Sequence, residues 1–342
     1  MIRTFAMRVV VLEDYLNYAA TSACIEPLKK LGEVVCYTEP AKSEDENVAR
    51  MAEADFVIPV RNRVSFTDRL LSRIRHVKLI SQTGPWLSHI DLAAAKKYGI
   101  TVSRCPDDGD EVVKTGTAEQ SWNLILALMR DSELNQKTMR EGGWQVKAGR
   151  GLAGKTLGVL GPGKIGSRVA RVGLAFDMRV IGWSRSLTQE SARAIGIEAV
   201  SLEELLSQSD VISIHTPLTD TTRGFIGARE FALMKPTAVV VITSRGGVLE
   251  ENALLEALRS GKIAGAGFDV YSKEPLPKDH PLRSLPNVVM QPHMGGYTEE
   301  GYGWKFIPAV ENIIAFIEGR PQNLATDKDI ERQRQRQMTY LT

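Results

Sequence analysis

Cysteine is scarce in this chain, with three in 342 residues. Cys24, Cys36 and Cys105 are odd in number, scattered and never spaced Cys-x-x-Cys. That argues against a disulfide framework or a structural zinc site. It fits a reducing cytoplasm in which each serves as a small apolar core side chain, and no metal is expected. An excess of one charge is missing too. Forty-three Lys and Arg against 41 Asp and Glu leave +2, so no global field draws the molecule to nucleic acid or to a membrane. Long apolar runs are also lacking. Stretches such as Ala238–Ile242 are strand-length, far below the ~18 residues that span a bilayer. The first apolar run, Val9–Leu12, stops at Glu13 and Asp14, which does not read as a signal peptide. Low-complexity tracts and internal repeats are likewise absent.

What remains is an ordinary globular balance, 43% apolar and 25% charged. At about 150 residues per domain, the length predicts two domains. Strand-like runs read at Met7–Leu12, Val34–Tyr37, Phe56–Val60, Leu79–Gln82 and Ile100–Ser103. Helical patterns separate them at Asn17–Leu31, Glu46–Ala54, Thr67–Arg75 and Leu92–Tyr98. That rhythm predicts a parallel sheet covered on both faces. The turn-rich segment Cys105–Asp110 should end this region, and a long helix should follow over Thr117–Arg130. A second alternating series runs from Leu157 to Gln291, with a capping box at Ser201–Glu204 and a helix Glu251–Ser260 stopped by Gly261. Beyond it we expect a Gly-rich turn, a helix near Ala309–Glu318, and a polar tail, Asp327–Arg336, that is a solvated helix or a frayed end.

Within the second series, Gly161-Pro-Gly163-Lys164-Ile165-Gly166 stands between a strand and a helix. The first glycine allows a tight turn, the second lets the backbone approach a pyrophosphate, and the third permits close helix–strand packing. The helix N-terminus adds unpaired N–H groups and a partial positive charge for the phosphates. The next strand, Arg179–Trp183, completes the unit. Selectivity for NAD would need an acid about 20 residues on, to bond the ribose 2′-hydroxyl. Ser184 occupies that place, 21 residues after Gly163, and Arg185 follows it. A hydroxyl and a guanidinium suit a 2′-phosphate, so NADP(H) is expected over NAD(H).

Three later strands end in polar residues. Ala238–Ser244 leads into Arg245, Ala264–Val270 into Glu274, and Asn287–Gln291 into His293. As parallel strands of one sheet, their carboxyl ends share the edge that binds ligands. Arg245 would hold a keto acid's carboxylate and polarise its carbonyl. His293 would give the proton to the developing alkoxide, and Glu274 would orient the imidazole and favour its charged form. Singly, each also reads as an ordinary surface or loop side chain.

These segments resemble the D-isomer-specific 2-hydroxyacid dehydrogenases, which include glyoxylate/hydroxypyruvate reductases and D-3-phosphoglycerate dehydrogenases. The likeness rests on Gly154–Gly166, Ser244–Val248, Asp269–Pro275 and Pro292–Gly295, with weaker matches at Thr117–Glu119 and His215–Pro217. The resemblance implies a doubly wound Rossmann cofactor domain, residues 112–297, inserted into a discontinuous flavodoxin-like substrate domain, 1–111 and 298–342. It implies a cytoplasmic homodimer reducing a small 2-keto acid to a D-2-hydroxy acid. It gives cofactor roles to Thr117, His215, Thr216, Pro217, Thr243, Asp269 and Gly295, with Asp269 on the nicotinamide carboxamide. Arg61, Thr83, Gly84 and Trp86 are the implied substrate residues. The loop reads Gly84-Pro85-Trp86 where the family commonly has Gly-x-Gly, which bears on pocket size. A dinucleotide-sensing corepressor-like protein shares the same residues. A phosphite- or formate-type dehydrogenase of this architecture is a further reading, with Glu274 against formate because the resembling enzymes usually carry Gln there.

Overall fold

A computed structural model of the protein describes residues 7–106 and 110–339, so part of the expected Cys105–Asp110 turn lies outside the described residues. The chain divides into two compact units. One is Met1–Asp110 with Glu299–Thr342, the other Glu111–Thr298.

The first unit carries five strands: β1 (Met7–Leu12), β2 (Gly32–Cys36), β3 (Phe56–Pro59), β4 (Leu79–Ser81) and β5 (Thr101–Ser103). All are parallel, in the order β2-β1-β3-β4-β5. That is the flavodoxin-like order, with its switch point between β1 and β3. The second unit carries β6 (Thr156–Leu160), β7 (Arg179–Trp183), β8 (Glu198–Ala199), β9 (Val211–Ile214), β10 (Val239–Ile242), β11 (Gly265–Phe268) and β12 (Val288–Met290). Their order is β12-β11-β10-β9-β6-β7-β8, again all parallel. Counted from β6, this is the dinucleotide-binding order 3-2-1-4-5-6 with one added strand, and its switch point lies between β6 and β9. The central strands are short runs of Val, Ile and Leu with both faces buried, as helices on both sides of a sheet require.

Several elements differ from expectation, each for a local reason. The stretch Asn17–Leu31 is three short pieces, Tyr18–Thr21, Ala23–Ile25 and Glu26–Lys29. Extended Ser22 interrupts it and restarts the chain by accepting a bond from Cys24 N. The last long helix spans Glu299–Ile317 and begins ten residues earlier than expected. Gly301, Gly303 and Pro308 obscure its pattern, while the buried, stacked Tyr302 and Phe306 hold its first turns. A helix at Ser132–Arg140, with no buried residue, was not foreseen. The polar tail is a helix, Asp327–Thr339, as one of the two readings had it, but it is docked rather than solvated. Arg104 grips Asp329 through two bonds of 3.0 and 3.1 Å, and Gln333 donates to the carbonyls of Leu87 and Ile90. Of the cysteines only Cys105 is fully buried. The Ser201–Glu204 capping box forms in both directions, and Gly261 ends its helix at φ +71°.

Candidate active site

The glycine turn sits at the carboxyl end of β6, beside the switch point. Gly161 adopts φ +86°, and a Cβ there would stand 3.1 Å from Thr216 N. Any side chain would push the β9 loop away. At Gly166 a Cβ would lie 2.5 Å from Gly161 O, so this glycine lets the helix Gly166–Ala175 start directly against the turn. Gly163 is exposed, with nothing within 4 Å of where its Cβ would be. The helix opens at Ile165 without a side-chain cap, and Lys164 beside it is exposed. Open space over the second glycine plus an uncapped helix start is a cradle that fits a pyrophosphate.

Around this turn the β9 loop brings His215, Thr216 and Pro217. His215 N donates to Leu160 O at 2.8 Å, and its ring Nε2 lies 2.9 Å from Ser213 Oγ. Burial pushes the imidazole down to about 4, so it is neutral at neutral pH. At the end of β7, Ser184 is half-buried and Arg185 exposed, with no acid at either position. On the inner wall, Ser121 joins two expected residues that are far apart in sequence. Its hydroxyl donates to Thr117 O and lies 2.9 Å from Thr243 Oγ1.

The catalytic candidates sit farther along the same edge. Ile242 pairs with Phe268, and Phe268 with Met290, so the last residues of β10, β11 and β12 are in register. Three positions beyond each lie Arg245, Tyr271 and His293. His293 Nδ1 is 2.5 Å from Glu274 Oε2, and the other Glu274 oxygen accepts from Tyr271 N at 3.0 Å. This carboxylate is therefore aimed by the backbone before it meets the imidazole. The Tyr271 hydroxyl donates to Gln291 O at 3.0 Å, tying the two strand ends together.

His293 itself has φ +59°, a left-handed conformation uncommon for a side chain with a Cβ. Asp269 holds that turn. It is 1% exposed, and its oxygens accept from Met294 N at 2.6 Å, Gly295 N at 2.8 Å and Gln120 Nε2 at 3.0 Å. Arg245 is exposed, and its Nη1 donates to Ser244 O. Its loop rests on the β11 loop so closely that a Cβ at Gly246 would fall 2.1 Å from Tyr271 C. Reading the residues in sequence missed Tyr271, Gln120 and Ser121. Tyr271 carried the one available signal, a backbone N–H three residues before a loop carboxylate.

In the first unit the expected substrate residues occupy adjacent strand ends. Arg61 follows β3 and has φ +61°, while Thr83 and Gly84 follow β4. Thr83 Oγ1 accepts from Arg61 N and donates to Pro59 O, both at 2.9 Å. The buried Gln82 amide donates to Arg61 O at 3.0 Å. Trp86 is 61% exposed. Among the described residues no group of three His, Cys, Asp or Glu could hold a metal, and no helix is long and apolar enough to cross a membrane.

Residues 122–295 match the family described as D-isomer specific 2-hydroxyacid dehydrogenase, NAD binding domain. The chain is 43% identical over 272 residues to a glyoxylate reductase of Aeropyrum pernix, covering 75% of this chain and 80% of that one. It is 39% identical over 279 residues to a D-3-phosphoglycerate dehydrogenase of Methanocaldococcus jannaschii, covering 81% of this chain and only 52% of that one. Among solved structures it is similar to a phosphoglycerate oxidoreductase from Vibrio cholerae, at a TM-score of 0.83 and 32% identity, over 92% of this chain and 99% of that one.

Proposed function

The chain belongs to the D-isomer-specific 2-hydroxyacid dehydrogenase family, and from that premise we propose that it reduces a small 2-keto acid of the glyoxylate or hydroxypyruvate kind to the D-2-hydroxy acid, with NADP(H) favoured over NAD(H). The observation that carries the reading is the Glu274–His293 pair, set two strands from Arg245 on the sheet edge that also bears the glycine turn. The second unit would be the cofactor domain and the first the substrate domain.

A bound nicotinamide dinucleotide would supply the hydride. Gly161, Gly163 and Gly166 would cradle its pyrophosphate, with Lys164, Ile165, Thr117, His215, Thr216, Pro217, Thr243, Asp269 and Gly295 around it. His293 holds a proton at Nε2 for the alkoxide that forms as the carbonyl is reduced. Glu274 fixes the ring through Nδ1, keeping that proton aimed. Arg245 binds the carboxylate and draws electron density from the carbonyl oxygen. In the first unit, substrate roles are proposed for Arg61, Thr83, Gly84 and Trp86. Arg185 and Ser184 support the 2′-phosphate preference, because a guanidinium favours that dianion and no carboxylate replaces it.

A homodimer is part of the same proposal. Leu134, Met139, Trp144 and Val146 are exposed apolar side chains within one short stretch of the second unit, with Trp144 72% exposed. Exposed apolar side chains gathered in one stretch are the kind a second copy buries.

Initial rates with glyoxylate and hydroxypyruvate, each run with NADPH and with NADH, test the reading. Turnover of at least one acid with a clear NADPH preference is expected. A clear preference for NADH would remove the cofactor assignment. Tight dinucleotide binding without turnover of any keto acid would replace the enzyme with a sensor.

A further inference from the structure

The loop after β9 does not stay above its own strand. It passes Gly161 at near-contact distance, crosses the end of β6 and reaches the end of β7, where Trp183 stacks on Phe225 with ring centroids 5.5 Å apart. The two residues after Trp183 are Ser184 and Arg185. Arg185 Nη1 donates to Thr221 Oγ1 at 3.3 Å.

Thr221 ends a chain of hydroxyls whose direction can be worked out. Thr222 Oγ1 donates to Pro217 O at 2.6 Å. With its one proton so used, Thr222 must accept from Thr219 Oγ1 at 3.0 Å, and Thr219 must accept from Thr221 Oγ1 at 3.1 Å. Thr221 then has only lone pairs to offer Arg185, which always donates. The guanidinium is thus tethered by a neutral acceptor, and among the described residues no carboxylate pairs with it. Its charge stays uncompensated while one end is held, which is a preorganised anion grip.

We propose that Thr221 is the positioning residue for recognition of the cofactor's 2′-phosphate, its hydroxyl chain holding Arg185 at the ribose end of the dinucleotide crevice. The inference rests on the NADP(H) reading and adds a residue from a different strand loop.

The test is calorimetric titration of the full-length protein with adenosine 2′,5′-bisphosphate and with adenosine 5′-monophosphate. The wild type should bind the bisphosphate at least about tenfold tighter. Thr221→Val keeps the volume and deletes the hydroxyl. It should weaken the bisphosphate roughly five- to tenfold, the worth of one ordinary hydrogen bond lost at an exposed side chain, and leave the monophosphate within about twofold. Thr221→Ser should restore the wild-type value, and the ratio of NADPH to NADH kcat/KM should follow the same order. If Thr221→Val leaves the bisphosphate unchanged while Arg185→Ala weakens it, the role of Thr221 is wrong and the cofactor reading stands. Equal losses for both nucleotides would make Thr221 a prop for the loop and overturn the inference. A wild type that does not distinguish the two nucleotides would overturn the cofactor reading and the inference together.

Discussion

Replacing single groups at the Glu274–His293 pair separates proton supply from proton aiming. His293→Gln removes the donor, and kcat with glyoxylate should fall by roughly 10²- to 10⁴-fold, the usual worth of general acid catalysis. Glu274→Gln keeps the shape but loses the charge facing Nδ1, and we expect a smaller fall of about 10- to 100-fold. Arg245→Ala should raise KM and lower kcat together, because the guanidinium is proposed to act on both carboxylate and carbonyl. Near-normal turnover in both His293→Gln and Arg245→Ala would remove these roles. Another histidine bears on stability instead. His89 is half-buried, with both ring nitrogens sealed from solvent and without a hydrogen-bond partner, and desolvation pushes it down to about 4. An unfolded histidine takes its proton near 6.5. The stabilising contribution is therefore full above pH 6.5 and is lost as pH falls towards 4, by about 3 kcal/mol for this one group. His89→Leu should flatten that acid slope in urea midpoints taken between pH 7 and 4.5.

At the scale of elements, the strand-end loops work by close approach. Gly246 lets the Arg245 loop lie directly on the backbone of Tyr271. Gly246→Ala would drive the two loops apart, because the clash is with main chain rather than with a flexible tip. Displacements of ~1 Å at a catalytic group cost on the order of 100-fold. We expect a loss of that size in kcat, with dinucleotide affinity held within about threefold because the glycine turn is on another strand. A variant with equal loss of both would show that the loop supports the cofactor as well. The same scale explains which elements were readable. Gly161, Gly163 and Gly166 declare their strand-turn-helix context, and the three turns after β10, β11 and β12 each carry a polar residue at a recognisable place. The helix Glu299–Ile317 was half hidden because Gly301, Gly303 and Pro308 weaken local propensity, and burial of Tyr302 and Phe306 overrides it.

At the scale of the whole molecule, Leu134, Met139, Trp144 and Val146 expose apolar surface within one short stretch of the second unit, which a second copy would cover. Size-exclusion chromatography with light scattering should give a dimer. Trp144→Glu, at the most exposed of those side chains, should weaken self-association by more than about 30-fold if it is a central anchor. An unchanged dimer would move the interface elsewhere.

The sequence by itself determined the class of fold, the glycine turn, the absence of an acid after β7 and the placing of Arg245, Glu274 and His293 just beyond three strands, because each follows from local chemistry or from a pattern of fixed spacing. Only the tertiary structure decided that Asp269 organises the His293 turn through Met294 and Gly295, that Ser121 joins Thr117 to Thr243, and that Thr221 meets Arg185. Those pairings lie up to 122 residues apart, as between Ser121 and Thr243. They depend on strand order and register, which no local propensity encodes, since two residues meet across a parallel sheet only once every strand between them has taken its place.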